Sequence, residues 1–268
     1  MASDHNGQLQ EMSFWDHLDA LRSVLIKGII VLLVMGIVLF AFMPWIFDNI
    51  ILAPCRGNFV LYRLMDNLSA LSGIMPDVTS GDFNVNLINI QLASQFFIHM
   101  SASCWMAVML SFPIIIYLLW TFISPGLYEH ERRGATRAFL FGNVMFFLGV
   151  LTGYFLVFPI TLRFLADYQL SSLIPNQISL DSYMDTFITI VFMMGILFEL
   201  PLLAWLLGRM GLLHRNFFSQ YRRHAIVALL ILAAVITPTG DPFTLFVVFI
   251  PIYLLWEFSA YLVKPDED

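Results

Sequence analysis

Apolar residues gather into six runs, roughly 24–45, 94–120, 138–162, 183–208, 224–238 and 242–263, with short polar stretches between them. The first four supply the roughly 20 residues a helix needs to cross the hydrocarbon. The last two are shorter. Phe243 to Trp256 ends at Glu257, and "TPTGDP" between the two runs is a Pro/Gly-rich turn. The pattern predicts an all-α polytopic membrane protein with six transmembrane helices, the last two short. A re-entrant final hairpin gives the same pattern by length.

Ahead of the first run, "SFWDHLDALRSVL" places Ser13 three residues before Asp16, and Phe14, Leu18, Leu21 and Leu25 recur at helical spacing. An interfacial helix over 1–22 leading into the first span is expected, with Trp15 at headgroup level. The stretch 46–93 forms a long loop whose "FVLYRLM" and "VNLINIQL" lie on the membrane or cap the helices. Residues 121–137 form a shorter loop, because Ser124-Pro125-Gly126 ends the second helix. No linker or repeat divides residues 1–268, which read as a single membrane domain.

Composition strengthens the membrane reading. Hydrophobic residues make up 59% and charged residues 12%, against about 45–50% and 25% in soluble domains, and the mean hydropathy is +0.81. The net charge of −6 says less than its distribution. With six spans and both termini cytoplasmic, Arg22, Lys27, Arg132, Arg133, Arg137, Arg209, Arg215, Arg222, Arg223 and Lys264 lie inside. That leaves only Arg56, Arg63 and Arg163 outside, in agreement with the positive-inside rule. The first dozen residues carry no Lys or Arg, unlike a cleaved signal peptide. Cys55 and Cys104 are separated in depth and have no metal-ligand spacing.

One carboxylate interrupts the greasy pattern. Glu199 lies in "FMMGILFELPLLAW", where a charge costs roughly 2.5–3.5 kcal/mol on insertion scales calibrated with Asp. A protonated structural acid and a functional group are both open readings. Pro201 next to it frees the carbonyl of Leu197 from its helical bond. His99 and Asn143 read as packing residues in preference to a polar pair. In the 121–137 loop, Glu129, His130 and Glu131 precede Arg132 and Arg133. They are either a solvated connector or a receiver for a cationic ligand, for which arginine's planar fork is the matching partner.

The loop "FISPGLYEHERR" resembles the F-x-x-PGLY-x-x-ER signature of the TatC family, the receptor subunit of the twin-arginine protein translocase. "FWDHLDALR", "LAPC", "GYFLVFP", "GILFELP" and "ITPTGD…FIPIYLLWE" match that family's other motifs in order. The resemblance implies a glove-shaped helical fold in the cell inner membrane. It also implies that twin-arginine signal peptides of folded cargo are captured at the cytoplasmic face and exported at the expense of the proton-motive force. The implied signal-peptide site is Glu131 with Glu129, Phe122, Tyr128, His17, Asp19, Leu21 and Arg22. Ala20 and Val24 depart from the family's entry motif, so Asp16 or Asp19 would supply charge there and Glu131 would carry more of the site. Glu199 is implied as an intramembrane contact for signal peptide or partner. Asp241 and Glu257 are secondary candidates, and Leu245 replaces a polar family residue. The implied partners are small single-span subunits of the TatA/TatB type, the lipid bilayer and further copies of the chain. Nucleic acid, cofactor and metal are not called for.

The other function classes fit less well. A proton- or cation-coupled secondary transporter using Glu199 would call for repeats and broken helices at the midplane, which the pattern does not show. An enzyme is not expected, since there is no nucleotide-binding G-x-x-x-x-G-K-[ST], no HExxH and no Gly-x-Gly-Asp.

Overall fold

The computed structural model describes residues 14–72, 83–123, 129–171, 173–174 and 176–263. Helix α1 (Phe14–Ile46) carries the first apolar run and ends in a π-helical turn, Phe47–Ile51, and a 3-10 turn, Ala53–Cys55. Then come α2 (Val60–Ser72), a two-residue strand β1 (Leu87–Ile88) and α3 (Ser94–Ile123). Helix α4 (Glu129–Thr152) passes through a π-helical segment, Gly153–Val157, into α5 (Phe158–Asp167). Strand β2 (Ile178–Ser179) precedes α6 (Leu180–Leu197) and α7 (Leu200–Arg209). Helices α8 (Arg215–Gln220), α9 (Arg222–Ile236) and α10 (Pro242–Leu262) complete the fold. Helices dominate because the hydrocarbon offers backbone groups no partners, and a helix satisfies them internally.

Side-chain contacts fix the directions. The ring of Phe40 on α1 stacks on His99 of α3 at 4.0 Å, so the end of α1 meets the beginning of α3. The Ser94 hydroxyl bonds the Asp181 carboxylate, joining the beginnings of α3 and α6. At the other extremity Val263 lies beside Gly208, and Arg222 reaches Glu257. One end of the bundle therefore gathers the start of α1, the end of α3, the start of α4, the end of α7, α8, the start of α9 and the end of α10. We call this the basic end, since Arg22, Arg209, Arg215, Arg222 and Arg223 are found there. The opposite end, the cap, holds α2, the turn 237–241 and the β1–β2 ribbon, whose strands pair in parallel with Leu87 opposite Ile178.

The core lies between α4, its π segment and α6, with Phe146, Val157, Ile190 and Met194 fully buried. The two helices approach closely at Gly149, where an added Cβ would stand 2.4 Å from the Met194 carbonyl oxygen. In the cap, three tyrosines close off main-chain carbonyls. Tyr62 donates to Pro54 and Pro159 (3.1 Å each), Tyr154 to Ile50 (2.8 Å) and Tyr183 to Ile51. The prolines and π-helical turns at 44–54 and 153–159 divert carbonyls from the regular helical ladder, and the phenols serve some of them. The expected 46–93 loop is thus partly helical and tied into the bundle.

Three expectations change. The fourth span is broken, contrary to the unbroken pattern read from sequence. Pro201 cannot donate to Leu197, α6 stops at Leu197, and α7 restarts at Leu200 after a turn in which the Glu199 amide bonds the Ile196 carbonyl at 3.0 Å. The last helix is not short. It continues through Glu257 to Leu262, because Arg222 and Tyr253 both bond that carboxylate and lower the cost of embedding it. The 121–137 stretch is largely helical, with α3 reaching Ile123 and α4 beginning at Glu129, where acidic residues suit a helix N-terminus. Among the described residues, five helical segments are long and apolar enough to span a membrane; α9, at 15 residues, falls short of that length. Ser13 lies outside the described residues.

Candidate functional site

The expected ligand-binding residues distribute over three helix ends at the basic end. Asp19 and Arg22 are exposed on α1 and Leu21 is half-buried there, one turn and more beyond His17, whose side chain lies outside the described residues. Phe122 is half-buried in the last turn of α3. Glu129 and Glu131 belong to the first turn of α4; their side chains, and Tyr128 altogether, lie outside the described residues. Trp120 packs on Phe139 at 4.6 Å between ring centroids, tying the end of α3 to α4. The backbone thus brings the three contributing segments to one end. A helix start also adds the positive end of its dipole to whatever the carboxylates attract or repel.

Glu199 occupies the break between α6 and α7. Its side chain does not cap α7 but crosses to α4, where Gly142 leaves room for it: a Cβ there would lie 2.9 Å from Oε2 and 2.6 Å from Leu202. Oε1 is buried and has no hydrogen-bond partner among the described residues. Asn143 donates from Nδ2 to the Phe139 carbonyl at 3.0 Å, while its Oδ1 is also buried without a partner. Glu199 Oε1 and Asn143 Oδ1 are thus two buried acceptors without donors among the described residues. Arg209, the last of the ten residues of α7, is ten positions beyond Glu199, which places Glu199 about 15 Å along the axis from the basic end of that helix.

The secondary candidates have structural work. Asp241 is the N-cap of α10: its carboxylate accepts from the Thr244 amide and the Thr239 hydroxyl, 2.7 Å each. Partial burial opposes ionisation, but the hydrogen bonds from Thr244 and Thr239 outweigh it and hold the carboxyl below its usual range. Glu257 bonds Arg222 at 2.8 Å and the Tyr253 hydroxyl at 2.7 Å, tying α9 to α10 rather than simply reaching for water. His99 lies 2.9 Å from the Phe40 carbonyl through Nε2, so neither it nor Asn143 depends on the other for its bond. Cys55 is buried and Cys104 exposed, both as free thiols. Among the described residues no three metal-ligating side chains converge.

Sequence reasoning passed over Gly142 and the three cap tyrosines. A tyrosine in an apolar stretch signals a hydroxyl in need of a partner, but which carbonyl it serves is set by packing. Gly142 gives no sequence signal beyond being a glycine in a helix.

These features define a polytopic helical membrane protein with a basic end that gathers the ends of α1, α3 and α4, and with the Glu199 carboxylate held inside the bundle. A family model for the Sec-independent protein translocase protein (TatC) matches residues 16–251, and the chain belongs to that family. It is 34% identical over 253 residues to the TatC protein of Blattabacterium sp. subsp. Periplaneta americana, covering 94% of this chain and 95% of that one. It is 32% identical over 257 residues to the TatC protein of Deinococcus radiodurans, covering 96% and 87%. Two crystal structures of the twin arginine translocase receptor TatC superpose on it. The first has a TM-score of 0.69 at 30% identity, covering 92% of this chain and 97% of that one. The second, in DDM, has a TM-score of 0.72 at 29% identity, covering 92% and 99%.

Proposed function

We propose that this protein is the receptor and core subunit of a twin-arginine translocase, taking up signal peptides of folded cargo at its basic end. The observation that carries the reading is the family match over residues 16–251, combined with the gathering of the α1, α3 and α4 ends on one side. In this reading the basic end and both termini face the cytoplasm, α9 completes six spans, and the bilayer is the cell inner membrane. Glu131 and Glu129 receive the paired guanidinium groups, with His17, Asp19, Leu21, Arg22, Phe122 and Tyr128 shaping the surface around them. Bidentate geometry favours arginine over lysine. Glu199, short of a donor in the isolated chain, meets a polar group of the signal peptide or of a small single-span partner subunit. The proton-motive force drives export in an assembly holding several copies. The break at Glu199 is the feature a coupled transporter would need, but the family match favours the translocase.

The test is binding of a twin-arginine signal peptide to the purified protein in detergent. A twin-lysine peptide and the Glu131→Ala protein should each bind at least about tenfold more weakly, as expected for loss of a charge-assisted pair. Equal binding in all three would remove Glu131 from the site.

A further inference from the structure

Only three basic residues among the described residues belong to the cap, Arg56, Arg63 and Arg163, and all three meet at Phe83. Arg56, Gly57, Asn58, Arg63, Phe83 and Asn84 line an open pocket of about 560 Å³. Its walls are pinned by backbone, since Arg56 and Asn84 form an antiparallel bridge and the Val85 amide bonds the Cys55 carbonyl at 3.0 Å. Arg56 is oriented by a 3.1 Å bond from Nη2 to the Asp48 main-chain carbonyl. Behind the pocket, the Arg163 guanidinium sits 5.2 Å from the ring centroids of both Phe83 and Tyr62. Asp167 offsets it only at 3.7 Å. Among the described residues no carboxylate lines the pocket, and neither Arg56 nor Arg63 is in an ion pair. Helix α2 begins two residues after Asn58 with no acidic residue in its first turn, so the positive end of its dipole adds to the same potential.

We propose that this pocket binds a phosphate group, and that its bearer is an anionic phospholipid. Two guanidinium groups and two side-chain amides supply the donors such an oxyanion takes. The lipid is favoured over free phosphate by what adjoins the arginines. Val60 and Leu64, one turn apart on α2 beside Arg63, are 65% and 54% exposed, an apolar face suited to the acyl chains below a bound headgroup. On the sidedness proposed above, the headgroup belongs to the outer leaflet, and the site fixes the cap to the membrane surface.

The experiment is calorimetric titration of the full chain in detergent with dihexanoyl phosphatidylglycerol, dihexanoyl phosphatidylcholine and inorganic phosphate. Saturable binding of the phosphatidylglycerol is expected, with the phosphatidylcholine and inorganic phosphate each at least about tenfold weaker. The loss should be at least about tenfold in Arg56→Gln/Arg63→Gln and smaller in Arg56→Lys/Arg63→Lys, which keeps charge but loses the bidentate fork. Arg63→Gln alone keeps the Arg56 bond to Asp48 and should still weaken binding. Arg209→Gln/Arg215→Gln, at the basic end, should bind as the parent protein does. Undiminished binding in the Gln double variant, or an equal loss in the basic-end control, would overturn the site. Inorganic phosphate binding as tightly as phosphatidylglycerol would overturn the lipid assignment and leave a free-anion site.

Discussion

In the cap, the hydroxyls of Tyr62, Tyr154 and Tyr183 reach carbonyls of other segments, and Asp241 holds two donors. Along the same bundle toward the basic end, Glu199 and Asn143 each bury an acceptor that nothing among the described residues serves. Both regions bury polar groups in a setting where an unmade hydrogen bond is expensive. The cap's phenols close main-chain carbonyls, while Arg163 Nη1 and Thr244 Oγ1 stay buried there without a hydrogen-bond partner among the described residues. At the α4–α7 contact Glu199 Oε1 is left without a donor among the described residues, and under the proposed function a partner brings that donor.

The comparison can be broken from either side. The largest effect is expected at the frame's closest approach. Gly149→Val drives a side chain into the Met194 carbonyl and should cost about 3 kcal/mol or more, read as loss of a monodisperse species and a lower unfolding midpoint in detergent. Next comes Tyr183→Phe, which leaves the Ile51 carbonyl without its phenol. It should cost about 2 kcal/mol by the same measurement. A variant as stable as the parent would show that the Tyr183 hydroxyl does not hold the cap together.

The proposed docking position at Glu199 should respond the other way. Glu199→Gln replaces a carboxylate whose buried Oε1 has no donor among the described residues, so the midpoint should stay within about 1 kcal/mol of the parent. Co-purification of single-span partner subunits should fall all the same. A large destabilisation with intact assembly would make Glu199 part of the scaffold.

The smallest effect concerns Asp241. Its carboxyl is held below the usual range, so the unfolded chain binds its proton more readily and the cap's contribution grows with pH. That contribution is complete above the unfolded value of about 3.9 and is lost as pH falls through the lower folded value. Asp241→Ala should cost about 1 kcal/mol at pH 7, with the gap to the parent protein closing only in strong acid.

The helices were legible because their cause is local. An apolar run of sufficient length has few alternatives in lipid, and Pro, Gly and arginine clusters mark where it ends. The candidate site was legible as residue types in order, "FISPGLYEHERR" above all, yet its geometry was not. Nothing near Glu257 in the chain announces Arg222, 35 residues away, so the last helix looked truncated. The break beside Glu199 was half visible: Pro201 showed a missing bond, but not that the chain would turn there and send the carboxylate across to α4.

The sequence by itself determined that this chain lives in a membrane, where its long apolar helices lie, which loops gather the positive charge and which family it belongs to. Each of these follows from composition, period and motif, properties that neighbouring residues carry together. Tertiary structure decided which polar groups are satisfied and which are not. Tyr183 finds Ile51 across 132 residues and Tyr62 finds Pro159 across 97, while Glu199 finds only the space above Gly142. Partners so far apart in the chain meet only when helices pack, so which polar groups are paired is decided only in the folded protein.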